Sequence, residues 1–365
     1  MKKRIAAIIT EYRENSHADV IVGKILEGYS LDGVWTESRL QVVSMFTDQV
    51  PENDMSRDMC AKHDVPIFDT IAEALTLGGS DLAVEGVVIV GEHGQYPDNA
   101  WGQKLYPRRR LFEETVKVFR QSGRVVPVFS DKHLSYSWEN AKWMYDTARE
   151  LHFPFMAGSS LPVTWRRPPL EIPRGAPVTE ALGIAYGPLD AYGFHALETV
   201  QCMVERRASG ESGVAAVRTI SGPEVWSAGA AGLWPRDLFE AAWSRTERKS
   251  DESPESTAKE PVAFLVEYRD GLKATILMLN GATEQFSFAA RVAGEVQSTL
   301  FYLQPGKPFG HFAFLTNKIE DLIVTGQPPY PVERTLLTTG ILARALESRY
   351  LGGARLETPE LAVDY

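Results

Sequence analysis

Four polar residues in a row, Ser130-Asp131-Lys132-His133, follow the apolar run "VVPVF". A strand that ends there places Lys132 at the carboxyl edge of a sheet, where open α/β folds put their ligands. A desolvated lysine at that edge can donate a hydrogen bond to a substrate hydroxyl or exchange a proton with it. The other reading is a solvated surface lysine. His195 opens the amphipathic stretch "YGFHALETVQCMV". It is either a satisfied core histidine or the group that takes a hydroxyl proton. Asp190 either orients His195 or caps its helix. A third group lies in "VIVGEHGQYPDNAWGQKLYPRRR", whose Gly, His, Tyr, Asn, Trp and Gln are types that line polar ligand sites, so that His93 and Tyr96 are candidate ligand contacts. His17, His93, His133 and His195 lack metal-ligand spacing with Glu11 or Asp131, and no metal is expected.

These residues need a frame, and the first 160 residues supply one. Strands at 4–10, 40–47, 86–90, 124–129 and 153–158 alternate with helices at 17–29, 55–63, 108–122 and 137–151. "IAAII" and "GVVIV" lack polar alternation, as strands covered on both faces do. The pattern predicts a Rossmann-like, doubly wound parallel sheet over 1–160. After the Pro-rich "TWRRPPLEIPRGAP" the rhythm changes. Strands from 264, 273, 285 and 296 follow one another directly, with helices near 191–206, 235–244, 309–324 and 332–350. This predicts an α+β domain over 161–365, mostly antiparallel sheet flanked by helices, with the polar 244–260 as a mobile surface loop.

The turn after the first strand reads "TEYRENSHAD", with no glycine before Gly23. Ser16 is positioned to cap the following helix, with Asp19 three residues on. Glu11 and Glu14 would oppose a bound pyrophosphate, and Arg13 could offset one of them.

Composition narrows the function classes. The 365 residues carry a net charge of −10, and no basic cluster exceeds Arg108–Arg110, so nucleic acid is not an expected partner. Two cysteines, Cys60 and Cys202, give no disulfide framework. The apolar "IAAIIT" is too short for a signal segment or a membrane span, which leads to the expectation of a cytoplasmic protein without a membrane partner.

The "SDKH" strand end, the "GPLDAYGFHALETV" that opens the second domain and the closing "FLTNKIEDLIVTGQPPYPVERTLLTTGILARALESRYLGG" together resemble the Gfo/Idh/MocA family, the glucose-fructose oxidoreductase and inositol dehydrogenase type. The family's Glu-Lys-Pro motif reads Asp131-Lys132-His133 here. Its Asp-x-Gly-x-His motif reads Ala191-Tyr192-Gly193-Phe194-His195, with Asp190 one residue early. The resemblance implies NAD or NADP as cofactor and a sugar-like or polyol substrate in an interdomain cleft. Lys132, His195 and Asp190 would be the catalytic groups, and His93, Tyr96, His133 and Tyr192 the substrate contacts. Thr10, Glu11, Arg13, Ser16, His17, Asp48 and Asp131 would be the cofactor-side residues, Asp48 reaching the ribose and favouring NAD. The resemblance further implies a homo-oligomer, dimer or tetramer, through the open sheet face carrying Phe286, Phe288 and Phe301. A non-redox carbohydrate-active enzyme, lyase or hydrolase, and a catalytically silent ligand-binding protein are the alternatives on the same scaffold.

Overall fold

A computed structural model describes all residues, Met1–Tyr365. The chain forms two compact units, one of Met1–Pro97, Leu105–Val163 and Gln304–Leu336, the other of Asp98–Lys104, Thr164–Leu303 and Leu337–Tyr365.

The first unit begins with β1 (Lys3–Ile9), α1 (His17–Glu27), a hairpin of β2 (Tyr29–Leu31) and β3 (Val34–Thr36), and β4 (Leu40–Thr47). It continues with α2 (Ser56–Lys62), β5 (Ile67–Phe68), α3 (Ile71–Thr76), β6 (Gly86–Val90), α4 (Arg108–Ser122), β7 (Val128–Asp131), α5 (Trp138–Glu150) and β8 (Phe155–Gly158). The strand order is β5-β4-β1-β6-β7-β8, every pair parallel. Strand order reverses between β1 and β6, so the crevice beyond their carboxyl ends is the switch point where such sheets bind ligands. Ile5, Ala7, Ile9, Val88 and Val90 are buried in the core with Ile21 and Val22 of α1, which explains the unbroken apolar runs.

In the second unit β9 (Trp165–Arg167), β10 (Val178–Ala185), α6 (Ala191–Val204), β11 (Val214–Ser221), α7 (Glu224–Ala230), α8 (Arg236–Arg245) and α9 (Pro254–Thr257) precede β12 (Val262–Tyr268), β13 (Lys273–Met278), β14 (Phe286–Val292) and β15 (Glu295–Tyr302). The chain then forms α10 (Gly310–Thr325), α11 (Val332–Tyr350) and β16 (Leu356–Glu357). The eight strands lie in the order β16-β11-β12-β13-β10-β14-β15-β9, every pair antiparallel except β10 with β13.

Four expectations are revised. The strand expected at 124–129 begins at Val128 and runs to Asp131, because Pro127 has no N–H to give the ladder. A division at residue 160 gives way to a discontinuous one, since α10 packs with α1 in the first unit. The sheet face expected to be open is covered. Leu182 and Ile184 of β10 pack with Trp234, Leu238 and Phe239 around α7 and α8. Gly183, between them, faces α6, where an added Cβ would lie 2.7 Å from Val200 Cγ2. Adjacent strand residues face opposite sides, so helices cover both faces, and Phe286, Phe288 and Phe301 are buried within the unit.

The fourth revision concerns 244–260, which is pinned rather than mobile. Gln285 Oε1 accepts from the backbone N–H of Glu247 and Arg248 at 2.7 and 2.8 Å, Ala282 O from Ser250 N at 2.9 Å, and Asn280 O from Lys259 N at 2.6 Å. Thr246 and Pro254 are buried. Backbone bonds hold this polar segment, and composition does not reveal them. Deleting 247–258 is therefore expected to cost on the order of 2–5 kcal/mol, several hydrogen bonds at about 1 kcal/mol each together with lost packing. Urea denaturation of the deletion variant checks this, and wild-type stability would contradict it.

Candidate functional site

Strands β1, β6 and β7 end beside one another, and each delivers polar groups to the same edge of the first unit. After β6, Gly91 permits a close approach, since a Cβ there would lie 2.7 Å from Arg108 Cγ. Glu92 comes next, nearly fully buried. Thr10, at the end of β1, donates from Oγ1 to Glu92 O at 2.7 Å and ties the two strand ends together. Glu92 Oε2 accepts from Arg108 Nη2 at 2.5 Å, and Lys132 Nζ stands 3.6 Å from Oε1. Arg108 is 0% exposed and Lys132 2%, so one carboxylate serves two cations away from water. Burial would raise the Glu92 carboxyl, but Lys132 and Arg108 hold it well below the usual carboxylate range.

Arg108 also donates from Nη1 to His133 Nε2 at 3.0 Å. Because guanidinium only donates, His133 carries its proton on Nδ1. Burial, reinforced by Arg108, lowers the His133 pKa well below its ordinary value and keeps the ring neutral.

His93 and Lys132 both have left-handed backbones, with φ of 69° and 68°. Non-glycine residues held there cost on the order of 1 kcal/mol or more and are concentrated at functional sites. Arg13 connects the β1 turn to His93. Its Nε donates to Glu11 Oε1 at 2.6 Å, and its Nη2 contacts His93 Nδ1 at 3.1 Å. His93 Nδ1 is thus an acceptor and Nε2–H a donor, and that buried Nε2 has no hydrogen-bond partner. Burial, with His17 nearby, pushes the His93 pKa down to about 3.

His17, the first residue of α1, directs Nδ1 to Asp131 Oδ2 at 2.6 Å. Its ring centroid is 5.4 Å from that of His93 and 5.1 Å from that of Phe312, both edge-on. Ser16 caps α1 through Asp19 N, and Asp19 Oδ2 accepts from Asn15 N, one residue before the cap, at 2.9 Å. Tyr12, fully buried, fills the turn where a glycine cradle would leave space. Glu14 pairs instead with Lys307 at 2.9 Å. Asp48, just beyond β4, accepts from the Tyr96 hydroxyl at 2.6 Å and pairs with Arg110.

In the second unit, Asp190 forms no side-chain cap on α6, and its Oδ2 accepts from Lys104 N at 3.0 Å. The capping role is therefore set aside. His195 is 7% exposed and packs edge-on against Tyr192 at 5.6 Å and Phe286 at 6.1 Å.

The structure thus brings together Glu11, Arg13 and His93; His17 and Asp131; Asp48 and Tyr96; and Tyr192 and His195. Sequence reasoning missed Glu92 and Arg108. Arg108 had a legible signal, since it shares a helical stripe with Leu111, Phe112, Thr115 and Phe119, all buried. Glu92 had the weaker signal of a charge directly after a wholly apolar strand.

Neither a protein-family model nor a characterised protein sequence matches the chain. Solved structures do share its fold over nearly the full length. GenD2 from gentamicin A biosynthesis, in complex with NAD, aligns with a TM-score of 0.59 at 12% identity, covering 98% of this chain and 97% of that one. Myo-inositol 2-dehydrogenase from Lactobacillus plantarum aligns at 0.60 and 11%, covering 98% and 99%. Biliverdin reductase from Synechocystis sp. PCC 6803, in complex with biliverdin and NADP+, aligns at 0.52 and 14%, covering 94% and 98%. The similarity is one of fold. No helix of the chain is long and apolar enough to cross a membrane.

Proposed function

We propose that this protein is an NAD(P)-dependent oxidoreductase of the Gfo/Idh/MocA type, acting on a sugar-like or polyol substrate. The observation that supports it most is Lys132, buried at the carboxyl end of β7 beside Glu92, in a fold shared with the NAD complex of GenD2 and with a myo-inositol 2-dehydrogenase.

The residues at the switch point suit a dinucleotide held by side chains instead of a glycine cradle. Helix α1 begins there, and Arg13, 36% exposed, places a guanidinium at the turn while neutralising Glu11. Arg13 and the α1 N-terminus would hold the pyrophosphate. Asp48 would hold the adenosine ribose in place of the Tyr96 hydroxyl it now accepts from. The cofactor, when bound, supplies the hydride acceptor or donor. Lys132 donates a hydrogen bond to the reacting hydroxyl and stabilises its developing negative charge. Glu92 pairs with Lys132 and fixes its position.

Titration of the purified protein with NADH and NADPH, followed by nucleotide fluorescence, is expected to give saturable binding of at least one of them. Absence of binding to both would end this reading. With a substrate from a polyol and sugar panel, Lys132→Met is expected to lower turnover by about 10²–10⁴-fold. Circular dichroism serves as the control for folding, and wild-type turnover in folded Lys132→Met would remove the lysine from the mechanism.

A further inference from the structure

The Asp131 carboxylate is 0% exposed, yet His17 Nδ1 is its one side-chain partner, and Oδ1 has none. Burying a carboxylate with so little compensation is costly unless another group bears positive charge against it at some stage. His17 can do so. An ionised carboxylate only accepts, so Nδ1 carries the hydrogen and Nε2 of the neutral ring holds the free lone pair. That Nε2 makes no hydrogen bond, and the side chain retains 13% of its exposure. Beside it, His93 has the complementary chemistry, a neutral ring with an Nε2–H donor that lacks a partner. A hydroxyl-bearing ligand matches the pair, because its oxygen accepts from one ring and its proton goes to the other.

We propose that His17 and Asp131 form an acid/base dyad of the reacting edge, with His17 exchanging the proton through Nε2, Asp131 positioning it, and His93 donating to the ligand oxygen. In the forward step the ligand O–H bond breaks and an Nε2–H bond forms. The electron pair stays on oxygen, and the imidazolium charge is matched by Asp131 across the 2.6 Å contact. The reverse step returns the proton. This inference shares with the oxidoreductase reading the assignment of the β7 end as the reacting edge, and it does not depend on the cofactor.

Three measurements test it. In wild-type protein, long-range ¹H–¹⁵N correlation spectra of the histidines are expected to show His17 as the Nδ1–H tautomer, and an Nε2–H tautomer would overturn the proposal. Carbethoxylation of His17 by diethyl pyrocarbonate, followed by mass spectrometry with exposed His152 as internal standard, is expected to slow at least about tenfold in Asp131→Asn, because asparagine stabilises the wrong tautomer. An unchanged ratio in a folded variant would count against Asp131 as the positioning group. With a substrate, Asp131→Asn and His17→Gln are expected to lower kcat by about 10²-fold or more while KM changes only a few-fold. Wild-type kcat in His17→Gln would overturn the dyad. Should NADH and NADPH both fail to bind, the oxidoreductase reading falls, while the tautomer and carbethoxylation results still decide this one.

Discussion

Replacing Glu92 with glutamine is expected to destabilise the protein by about 3–5 kcal/mol, the range seen when one partner of a buried ion pair is removed. Arg108 and Lys132 are almost wholly enclosed, and Glu92 is the carboxylate that answers both. Glutamine keeps the shape and one acceptor but loses the negative charge that faces both cations. Arg108→Met removes one of those cations together with its donor to His133 and is expected to cost a similar amount. The double variant should lose less than the sum of the singles, with a coupling of about 1 kcal/mol or more, because the groups share one network. Urea unfolding at neutral pH measures all three variants. A loss below about 1 kcal/mol in Glu92→Gln would mean that water reaches the cluster.

The second large effect is acid lability. His93 and His311 are pushed down to about 3, each mainly by burial, and His133 is held well below its usual value. In the unfolded chain these rings titrate near pH ~6.5. Below that pH the unfolded state therefore binds protons that the folded state refuses, and stability falls as pH falls. Each histidine contributes a slope of about 1.4 kcal/mol per pH unit, so the three together approach ~4 kcal/mol per unit. For His93 and His311 the loss continues to about pH 3, where the folded rings also protonate. Glu92 acts in the same direction at lower pH. Its folded pKa is depressed, so its contribution is present above the unfolded carboxylate value and lost as pH drops through the acid range. Against total stabilities of about 5–15 kcal/mol, a loss of about 6 kcal/mol between pH ~6.5 and ~5 removes a large share of the stability. Urea midpoints from pH 8 to pH 5 should fall steeply, and His311→Phe should remove about one histidine's share of the slope. A flat profile between pH 7.5 and 5.5 would show that these rings accept protons in the folded state.

Local sequence carried several elements because their patterns are strong and short-range. β4 at 40–47, β6 at 86–90, α4 at 108–122 and α11 at 332–350 are bounded as their periodicity predicts, and Ser16 caps α1 as expected. The end of β7 placed Asp131 and Lys132 at the carboxyl edge of the sheet for the same reason. What local pattern cannot encode is which distant charges meet. Glu92 and Arg108 are 16 residues apart, and His17 and Asp131 are 114 apart. Their pairing follows from the strand order β1-β6-β7, which brings three strand ends together. Asp48 looked available from its position after β4, but a tyrosine 48 residues on occupies it. The polar 244–260 segment has the composition of a loose loop, yet the Gln285 side chain and the backbone carbonyls of Asn280 and Ala282 hold it in place. α10 follows the second unit's strands in sequence but joins the first unit, because its apolar face, with Leu315, Ile319 and Leu322, completes the core beside α1. Amphipathic periodicity tells that a helix must bury one face; only the tertiary structure decides against what.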